Sequence, residues 1–323
     1  MKRILAALSM AAFAATTLFH QGPAQAQEKK FKLGVMKIAA MTTPYVAKER
    51  GFFKKHGLDV ELVFIRSGAE GIQALQGGNV EVTLAIPSFA MGANERKFDL
   101  AMVLQNELAH AAPPDSGGIV VAKDSSVTRP ADLAGMTVGV NSLHAQEAVD
   151  AQYVIRKAGV PKDKVKYVEV PFPSMGDVLA RKQVDAVVAI DPFTTMLAQR
   201  GNRVIAWEYV DSIPEQPIGT FWAKRAWAEK NMDMMDAFTA AMEEAMAYMN
   251  ADPKRARDLV AEFTRLPAPV VQSMPMIVWS SKINVAKWRE LIELLKGMGE
   301  LEQTHAPEEY FSSGVKRRLG TKG

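Results

Sequence analysis

The stretch that decides the fold is "YVAKERGFFKKHGLDVELVF", residues 45–64. Its first part predicts a helix that ends at Gly51, because glycine readily adopts the left-handed backbone with which helices commonly close. Gly57 then permits a turn, and from residue 58 to 64 apolar side chains alternate with Asp59 and Glu61, which is the period of a strand. The stretch therefore predicts one helix-to-strand unit, with Phe52 and Phe53 packed under a sheet.

The same order of elements recurs on both sides of this stretch. A short strand at residues 32–37 precedes it, Ser67-Gly68 opens the next helix, and residues 82–86 form another strand. Alternating strands and helices are typical of βαβ units on a parallel sheet. In such a sheet, the turns that follow the strands gather on one edge, where ligands bind.

The alternation breaks once and then starts again, which predicts two lobes. The break is "NELAHAAPPDSGG" at residues 106–118, and a second crossing is predicted at "IPEQPIGTFWA", residues 213–223. We therefore predict an α/β protein of two open lobes joined by a double crossover. Lobe 1 is predicted to comprise residues 27–123 and 217–323, with the helical C-terminal region packed on it, and lobe 2 residues 124–216.

The N-terminal residues 1–26 have the pattern of a secretory signal. Lys2 and Arg3 precede an apolar run that ends near Phe19, and Ala24-Gln25-Ala26 follows. A membrane anchor is the alternative, but the apolar run is shorter than the ~20 residues that a span needs. We expect cleavage before Gln27 and a freely diffusing periplasmic protein, since no cysteine is present to carry a lipid anchor.

Composition excludes several classes of function. The formal charge of +3 falls to +1 when Lys2 and Arg3 are removed, so nucleic acid is not the expected partner. The absence of cysteine excludes thiol nucleophiles, cysteine zinc sites and iron–sulfur clusters. Neither a Gly-x-Ser-x-Gly elbow nor a histidine pair at helical ligand spacing occurs. We therefore predict no catalytic residue, no metal site and no cofactor.

The predicted helix starts are the candidate ligand contacts. Backbone N–H groups and the positive end of a helix attract anions there, and neighbouring side chains add directional hydrogen bonds. The alternative is that the same side chains only cap their helices. The candidates at these turns are Met41, Thr42, Thr43, Ser67, Gly68, Pro87, Ser88, Asn141 and Ser142.

Five further residues lie near the predicted cleft. Asn106 is in the break between the lobes, and His144 opens a helix as either a donor or a cap. Asp191 is an N-cap aspartate unless it faces the cleft, where it would select a donor group on the ligand. Phe172 and Trp222 are candidate apolar walls, although aromatic residues beside strand ends are commonly part of a core.

Four segments together resemble a known family. They are "YVAKERGFFKKHGLDVELV", "IQALQGGNVEVTLA", "VTRPADLAGMTVGVN" and "VLARKQVDAVVAIDP", in this order. They look like signatures of the periplasmic substrate-binding proteins of the nitrate, sulfonate and taurine class of ABC importers, whose wider fold family includes thiamine-pyrimidine binding proteins. The resemblance implies capture of a small molecule by closure of two lobes, followed by docking on a membrane permease. It also adds weight to Ser67, Asn106 and Asn141 as ligand contacts.

The ligand itself is predicted from the charges near the helix starts. No Arg or Lys stands at any of them, so a monoanionic sulfonate or carboxylate, including an aromatic one, is favoured over a doubly charged ligand. A neutral pyrimidine is the second candidate. A ligand-sensing subunit of a signalling system is the alternative to an importer component, and in either case we expect a monomer.

Overall fold

The computed structural model describes residues 28–320, so the predicted signal peptide lies outside the described residues. Eleven strands run through this part of the chain. They are β1 (Lys29–Val35), β2 (Leu58–Phe64), β3 (Val82–Ala85), β4 (Leu100–Leu108), β5 (Gly117–Val121), β6 (Thr137–Val140), β7 (Lys166–Glu169), β8 (Ala186–Ile190), β9 (Arg203–Ala206), β10 (Pro217–Lys224) and β11 (Val278–Trp279).

The α-helices alternate with the strands at first and then dominate the C-terminal region. They are α1 (Thr42–Glu49), α2 (Phe52–Lys55), α3 (Gly68–Gly77), α4 (Pro87–Glu95), α5 (Gln146–Lys157), α6 (Met175–Ala180), α7 (Phe193–Gln199), α8 (Glu208–Ser212), α9 (Arg225–Lys230), α10 (Met232–Asn250), α11 (Pro253–Thr264), α12 (Ala268–Ser273), α13 (Val285–Met298) and α14 (Ser313–Leu319). No helix within residues 28–320 is both long enough and apolar enough to cross a bilayer.

The strands form two separate mixed sheets. The first has the order β11-β4-β10-β3-β1-β2, and the second has the order β7-β6-β8-β5-β9. In the first sheet, β1 runs parallel to β2 and β3, and β10 is antiparallel to β3 and β4. In the second sheet, β6 runs parallel to β7 and β8. The predicted pair of α/β lobes is confirmed, and we call the lobes built on the two sheets lobe 1 and lobe 2.

The first crossing between the lobes differs from the prediction. Strand β5 pairs with β8 and β9, so it belongs to the second sheet and not to lobe 1. The crossing therefore occupies residues 109–116, upstream of the predicted limit at residue 123. At the second crossing, β10 begins at Pro217 and pairs with β4 of the first sheet.

The opening stretch folds as predicted with one addition. Helix α1 ends at Glu49, and Gly51 has a φ of 74°. That left-handed residue redirects the chain into a further short helix, α2, before Gly57 (φ 72°) leads into β2. In α2, Phe53 is 2% exposed and stacks on Phe238 of α10 at 6.1 Å between ring centroids.

The C-terminal helices cover both faces of the first sheet. The apolar stripe of α10, including Met235, Met242 and Met249, packs with α11 and α12 in one buried cluster. Helix α13 belongs to another cluster, where Trp288 packs against Trp222 of β10. Lobe 1 is therefore a sheet between two helical layers.

Candidate functional site

The start of α1 is buried and linked to the end of β4. Thr43 Oγ1 donates to Asn106 Oδ1 (2.8 Å), and Asn106 Nδ2 donates to the Ala40 carbonyl (3.0 Å). Met41, Thr42 and Thr43 have no exposed surface. Thr42 Oγ1 has no hydrogen-bond partner within the described chain. The structure therefore brings the predicted residues of α1 and β4 together, and the Thr42 hydroxyl is the one without a hydrogen bond among them.

The two other predicted helix starts of lobe 1 differ from one another. Pro87 and Ser88 are buried at the start of α4, and Ser88 Oγ is unpartnered among residues 28–320. Ser67, in contrast, is exposed and accepts a hydrogen bond from the Glu70 N–H (3.1 Å), so it is a helix cap. Next to it, Gly68 lies beside Phe89 of α4.

Asp191 caps a helix, which is one of the two roles that the sequence left open. Its Oδ1 accepts a hydrogen bond from the Thr195 N–H (2.9 Å) at the start of α7, which is a capping contact. Its Oδ2 has no partner in the described residues, although the side chain is only 7% exposed. Burial raises the pKa of Asp191 to about 6. One carboxylate oxygen thus orders the helix, while the other accepts no hydrogen bond within residues 28–320.

The predicted contacts after β6 lie at the surface. Asn141 and His144 are exposed, Ser142 is half-buried, and His144 Nδ1 lies 2.9 Å from Glu300 Oε2 of the C-terminal region. His144 therefore contacts the C-terminal region of the opposite lobe. Phe172 is half-buried and stacks on Phe193 at 5.6 Å, beside the strand ends of lobe 2.

Trp222 is not a ligand wall, which corrects the prediction. It has no exposed surface, its indole Nε1 donates to Thr220 Oγ1 (2.7 Å), and its ring packs on Trp288 at 6.3 Å. Because β10 is an interior strand of the first sheet, its side chains at this point fill the layer between the sheet and α13. Trp222 is therefore a core residue.

Sequence reasoning overlooked a group of buried acids where the lobes join. Glu147 and Asp150 lie on α5, Glu208 opens α8, and Asp115 lies in the first crossing. All four side chains are at most 4% exposed, and both carboxylate oxygens of Glu208 lack a partner within residues 28–320. The signal was present, because Glu208 comes two residues after the end of β9, much as Asp191 comes directly after the end of β8.

The acids of this group influence one another electrostatically. Burial, followed by the Asp115 charge, raises the pKa of Glu107 to about 8, and the same two causes hold the pKa of Glu208 well above its usual range. Burial raises the pKa of Glu147 to about 7. We call these residues the hinge acids, and they are Glu107, Asp115, Glu147, Asp150, Asp191 and Glu208.

A single histidine lies among the hinge acids. His110 Nδ1 is 2.8 Å from Asp115 Oδ1, and this hydrogen bond raises the pKa of His110. Among the described residues, no Lys or Arg side chain is buried to a similar degree. A buried carboxyl group without a cationic partner is stable chiefly as the neutral acid. The site therefore offers carboxyl groups and unpartnered oxygens, with no Lys or Arg side chain buried among them in residues 28–320.

The buried polar network at the second crossing keeps these groups in place. Gln146 Nε2 donates to Gln216 Oε1 (2.9 Å) and to the Pro217 carbonyl (3.0 Å). Gln216 Nε2 in turn donates to Asp150 Oδ2 (3.0 Å). Gln146 Oε1 remains unpartnered in the described part of the chain, at the first turn of α5. The second crossing is thus held by hydrogen bonds from the side-chain amides of Gln146 and Gln216.

Gly117 is required by this arrangement, and replacing it tests the geometry. A Cβ atom at this position would lie 2.9 Å from Tyr209 Cδ2 and closer still to Glu208 Oε1. We expect Gly117→Ala to lower the free energy of unfolding by ~1–3 kcal/mol, because overpacking displaces the α8 side chains. Urea denaturation measures this difference. Gly92→Ala in α4, where nothing lies within 4 Å of the added Cβ, is the control and should not destabilise the protein.

Comparisons with known proteins agree with the fold and with the resemblance. The family described as NMT1/THI5 like matches residues 39–256. The formylaminopyrimidine-binding protein of Halalkalibacterium halodurans is 24% identical over 295 residues, which cover 85% of this chain and 86% of the relative.

Solved structures are similar over nearly the whole chain. The periplasmic aliphatic sulphonate binding protein SsuA from Escherichia coli has a TM-score of 0.74 at 20% identity, covering 88% of this chain and 97% of that one. The periplasmic nitrate-binding protein NrtA from Synechocystis has a TM-score of 0.69 at 13% identity, with 90% and 87% covered. These likenesses confirm the predicted periplasmic binding protein fold. Because the matched segment exceeds half of the sequence, the chain belongs to the NMT1/THI5-like family.

Proposed function

We propose that this protein is the periplasmic solute-binding component of an ABC importer and captures one small molecule between its lobes. The support is that Ser88 of lobe 1 and Asp191 and Glu208 of lobe 2 follow strand ends and carry buried side-chain oxygens without a partner in residues 28–320, together with relatives that are named binding proteins. Capture by closure requires a ligand that contacts both lobes. Asn106 and Ser88 from lobe 1 and Asp191 and Glu208 from lobe 2 are the residues proposed to do so. The binding protein is proposed to deliver the ligand to a permease.

The ligand that we favour is an aminopyrimidine or a similar nitrogen heterocycle. The observation that carries this choice is the presence of unpartnered carboxylate oxygens on Asp191 and Glu208, without a buried Lys or Arg in the described chain. A carboxyl group and an aminopyrimidine pair through two hydrogen bonds, one to the exocyclic amine and one to the ring nitrogen. Both hydrogen bonds form whether the proton lies on the carboxyl group or on the ring nitrogen. The relative that is named for formylaminopyrimidine supports the same choice.

An organic anion, which the sequence favoured, is the second candidate. Thr42 and Ser88 support it, because each places an unpartnered hydroxyl at the start of a helix. The fold also serves proteins named for sulphonate and nitrate. An anion could bind beside the hinge acids only if these acids were protonated, since like charges repel in a buried site. Anion affinity would therefore fall as pH rises through the raised pKa of Asp191 and Glu147, about 6 and 7.

The substitution Asp191→Asn distinguishes between the two candidate ligands, the aminopyrimidine and the organic anion. The amide keeps the capping oxygen for the Thr195 N–H but replaces the free carboxylate oxygen by a donor. We expect this change to weaken binding of a 4-aminopyrimidine by ~10–100-fold, because a hydrogen bond to a charged or acidic group is lost. Isothermal titration calorimetry of the mature protein at pH 6 and pH 8 measures it. Tighter binding of alkanesulfonates than of aminopyrimidines at both pH values would contradict the proposed ligand.

The matched control for this test is Asp252→Asn. Asp252 also caps a helix, by accepting a hydrogen bond from the Arg255 N–H (3.1 Å), but it lies at the exposed start of α11. We expect this variant to bind the aminopyrimidine as the wild type does. Equal losses in both variants would assign the effect to helix capping and not to ligand contact.

A further inference from the structure

The C-terminal region of lobe 1 contacts lobe 2 at two separate places. At the first place, His144 Nδ1 lies 2.9 Å from Glu300 Oε2, and Arg156 Nη1 donates to the Gly297 carbonyl (3.4 Å). His144 precedes α5 and Arg156 lies within it, whereas Gly297 and Glu300 lie at the end of α13. We call this contact the α13 contact.

The second place is on α12. Gln199 Nε2, at the end of α7 in lobe 2, donates to the Pro269 carbonyl (3.3 Å) and to Ser273 Oγ (3.1 Å). One turn earlier, Met196 of α7 packs against the apolar cluster of lobe 1 that contains Val270 and Val271. We call this contact the α12 contact.

The two contacts lie on opposite sides of lobe 1. Helix α12 belongs to the cluster on one face of the first sheet, and α13 belongs to the cluster on the other face. Lobe 2 is therefore held on both flanks by parts of one C-terminal region. A single contact would permit lobe 2 to rotate about it, whereas two contacts on opposite flanks oppose opening in either direction.

Apolar packing accompanies the polar contacts on the α13 side. Val149 of α5 and Ile213 of the second crossing are buried in the cluster that also contains Leu291 and Leu294 of α13. Burial of such side chains between the lobes favours the arrangement of the lobes seen in this structure without any ligand. The polar contacts lie farther toward the surface, since the His144 side chain is 75% exposed.

We propose that this structure shows the closed arrangement of the lobes and that the C-terminal region acts as a two-sided clasp, in which the α13 contact and the α12 contact stabilise that arrangement. This inference rests on the proposed function in one respect, namely that closure of the lobes serves to capture a ligand. A protein that is partly closed before binding has a higher apparent affinity, because the apparent dissociation constant is the intrinsic one divided by the competent fraction. The clasp therefore adjusts affinity from outside the cleft, without touching the ligand.

The closed fraction can be measured without any ligand. The chain has no cysteine, so Lys54→Cys in lobe 1 and Lys162→Cys in lobe 2 provide unique sites for two spin labels on exposed positions. Pulsed electron paramagnetic resonance then gives the distribution of distances between the lobes. We expect His144→Ala and Gln199→Ala each to lower the closed-to-open ratio ~3-fold, and the double variant to lower it ~10-fold, as for other partly exposed polar contacts.

His305→Ala is the matched control. His305 Nδ1 lies 3.1 Å from Glu309 Oε2, but both residues belong to lobe 1. We expect this variant to leave the distance distribution unchanged. Identical distributions in the wild type and the double variant would overturn the clasp, whatever the ligand is. A shifted distribution together with absent aminopyrimidine binding would sustain the clasp and reject the proposed ligand.

Discussion

Phe238→Ala is expected to lower the free energy of unfolding by ~3–5 kcal/mol, the range for removing a large aromatic side chain from a packed core. Phe238 of α10 has no exposed surface and lies at the centre of an aromatic group. Its ring makes edge contacts with Phe31 (5.6 Å) and Phe221 (5.5 Å) and stacks on Phe53 (6.1 Å). The substitution therefore separates α10 from β1, from β10 and from the opening stretch at once.

Guanidinium denaturation followed by circular dichroism measures this loss. The control is Phe64→Ala, since the Phe64 ring at the end of β2 is 58% exposed. We expect the control to change stability by less than ~0.5 kcal/mol, as for most surface substitutions. If Phe238→Ala were no more destabilising than Phe64→Ala, the C-terminal helices would not be part of the lobe 1 core.

The parts of the fold that the sequence predicted are those determined by neighbouring residues. Gly51 and Gly57 have the positive φ expected from their positions between helix and strand. The alternation at residues 58–64 gives β2, and the apolar stripe of α10 is core, because periodicity reports which face of an element is buried. Short helices such as α2 have no such signal, since one turn is too brief to show a period.

The parts that the sequence did not predict depend on contacts between distant segments. Strand β5 looked like the end of lobe 1, but its partners are β8 and β9, which lie more than sixty residues farther along the chain. Trp222 looked like a cleft residue, but its neighbour Trp288 comes from α13. Strand-end positions are visible in a sequence, whereas the pairing of strands and the layer that covers each face are not.

The sequence likewise predicted some residues of the candidate site and missed others. Ser88 and Asp191 follow strand ends, Asn106 lies near the end of β4, and all three are buried, although their contact with a ligand remains a prediction. Glu147 and Asp150 escaped notice because they lie within a helix that reads as amphipathic and charged. Burial of an acid is a property of the assembled lobes, so the shifted pKa values of the hinge acids could be found only from the structure.

Stability should fall as pH rises from about 4.5 to about 8, and Glu107→Gln should remove much of this decline. Burial raises the pKa of Glu107 from 4.5 to about 8, so between these values the folded protein retains a proton that the unfolded chain has released. The folded state then binds more protons than the unfolded state, and the free energy of unfolding decreases with pH. For one carboxyl group the total is at most on the order of 5 kcal/mol, because the pKa rises by about 3.5 and each pKa unit corresponds to about 1.4 kcal/mol.

Other groups at the hinge act in the same direction. The pKa of Glu147 is raised to about 7 and that of Asp191 to about 6, both chiefly by burial. The pKa of His110 is raised by its hydrogen bond to Asp115, so its contribution is present at low pH and is lost as pH rises through the folded-state value. The wild type should therefore be most stable in mildly acidic buffer, and part of the decline should remain in Glu107→Gln.

Thermal unfolding at a series of pH values between 4.5 and 8.5 tests this expectation. Glutamine has nearly the shape of the neutral acid, so the variant should match the wild type near pH 5 and exceed its melting temperature near pH 8. Glu61→Gln, on the exposed face of β2, removes one carboxylate without touching the hinge and should leave the slope unchanged. A wild-type melting temperature that rises steadily from pH 5 to pH 8 would contradict this expectation. It would mean that water reaches the hinge acids, and hence that the two lobes are less closely packed at the crossings than in this structure.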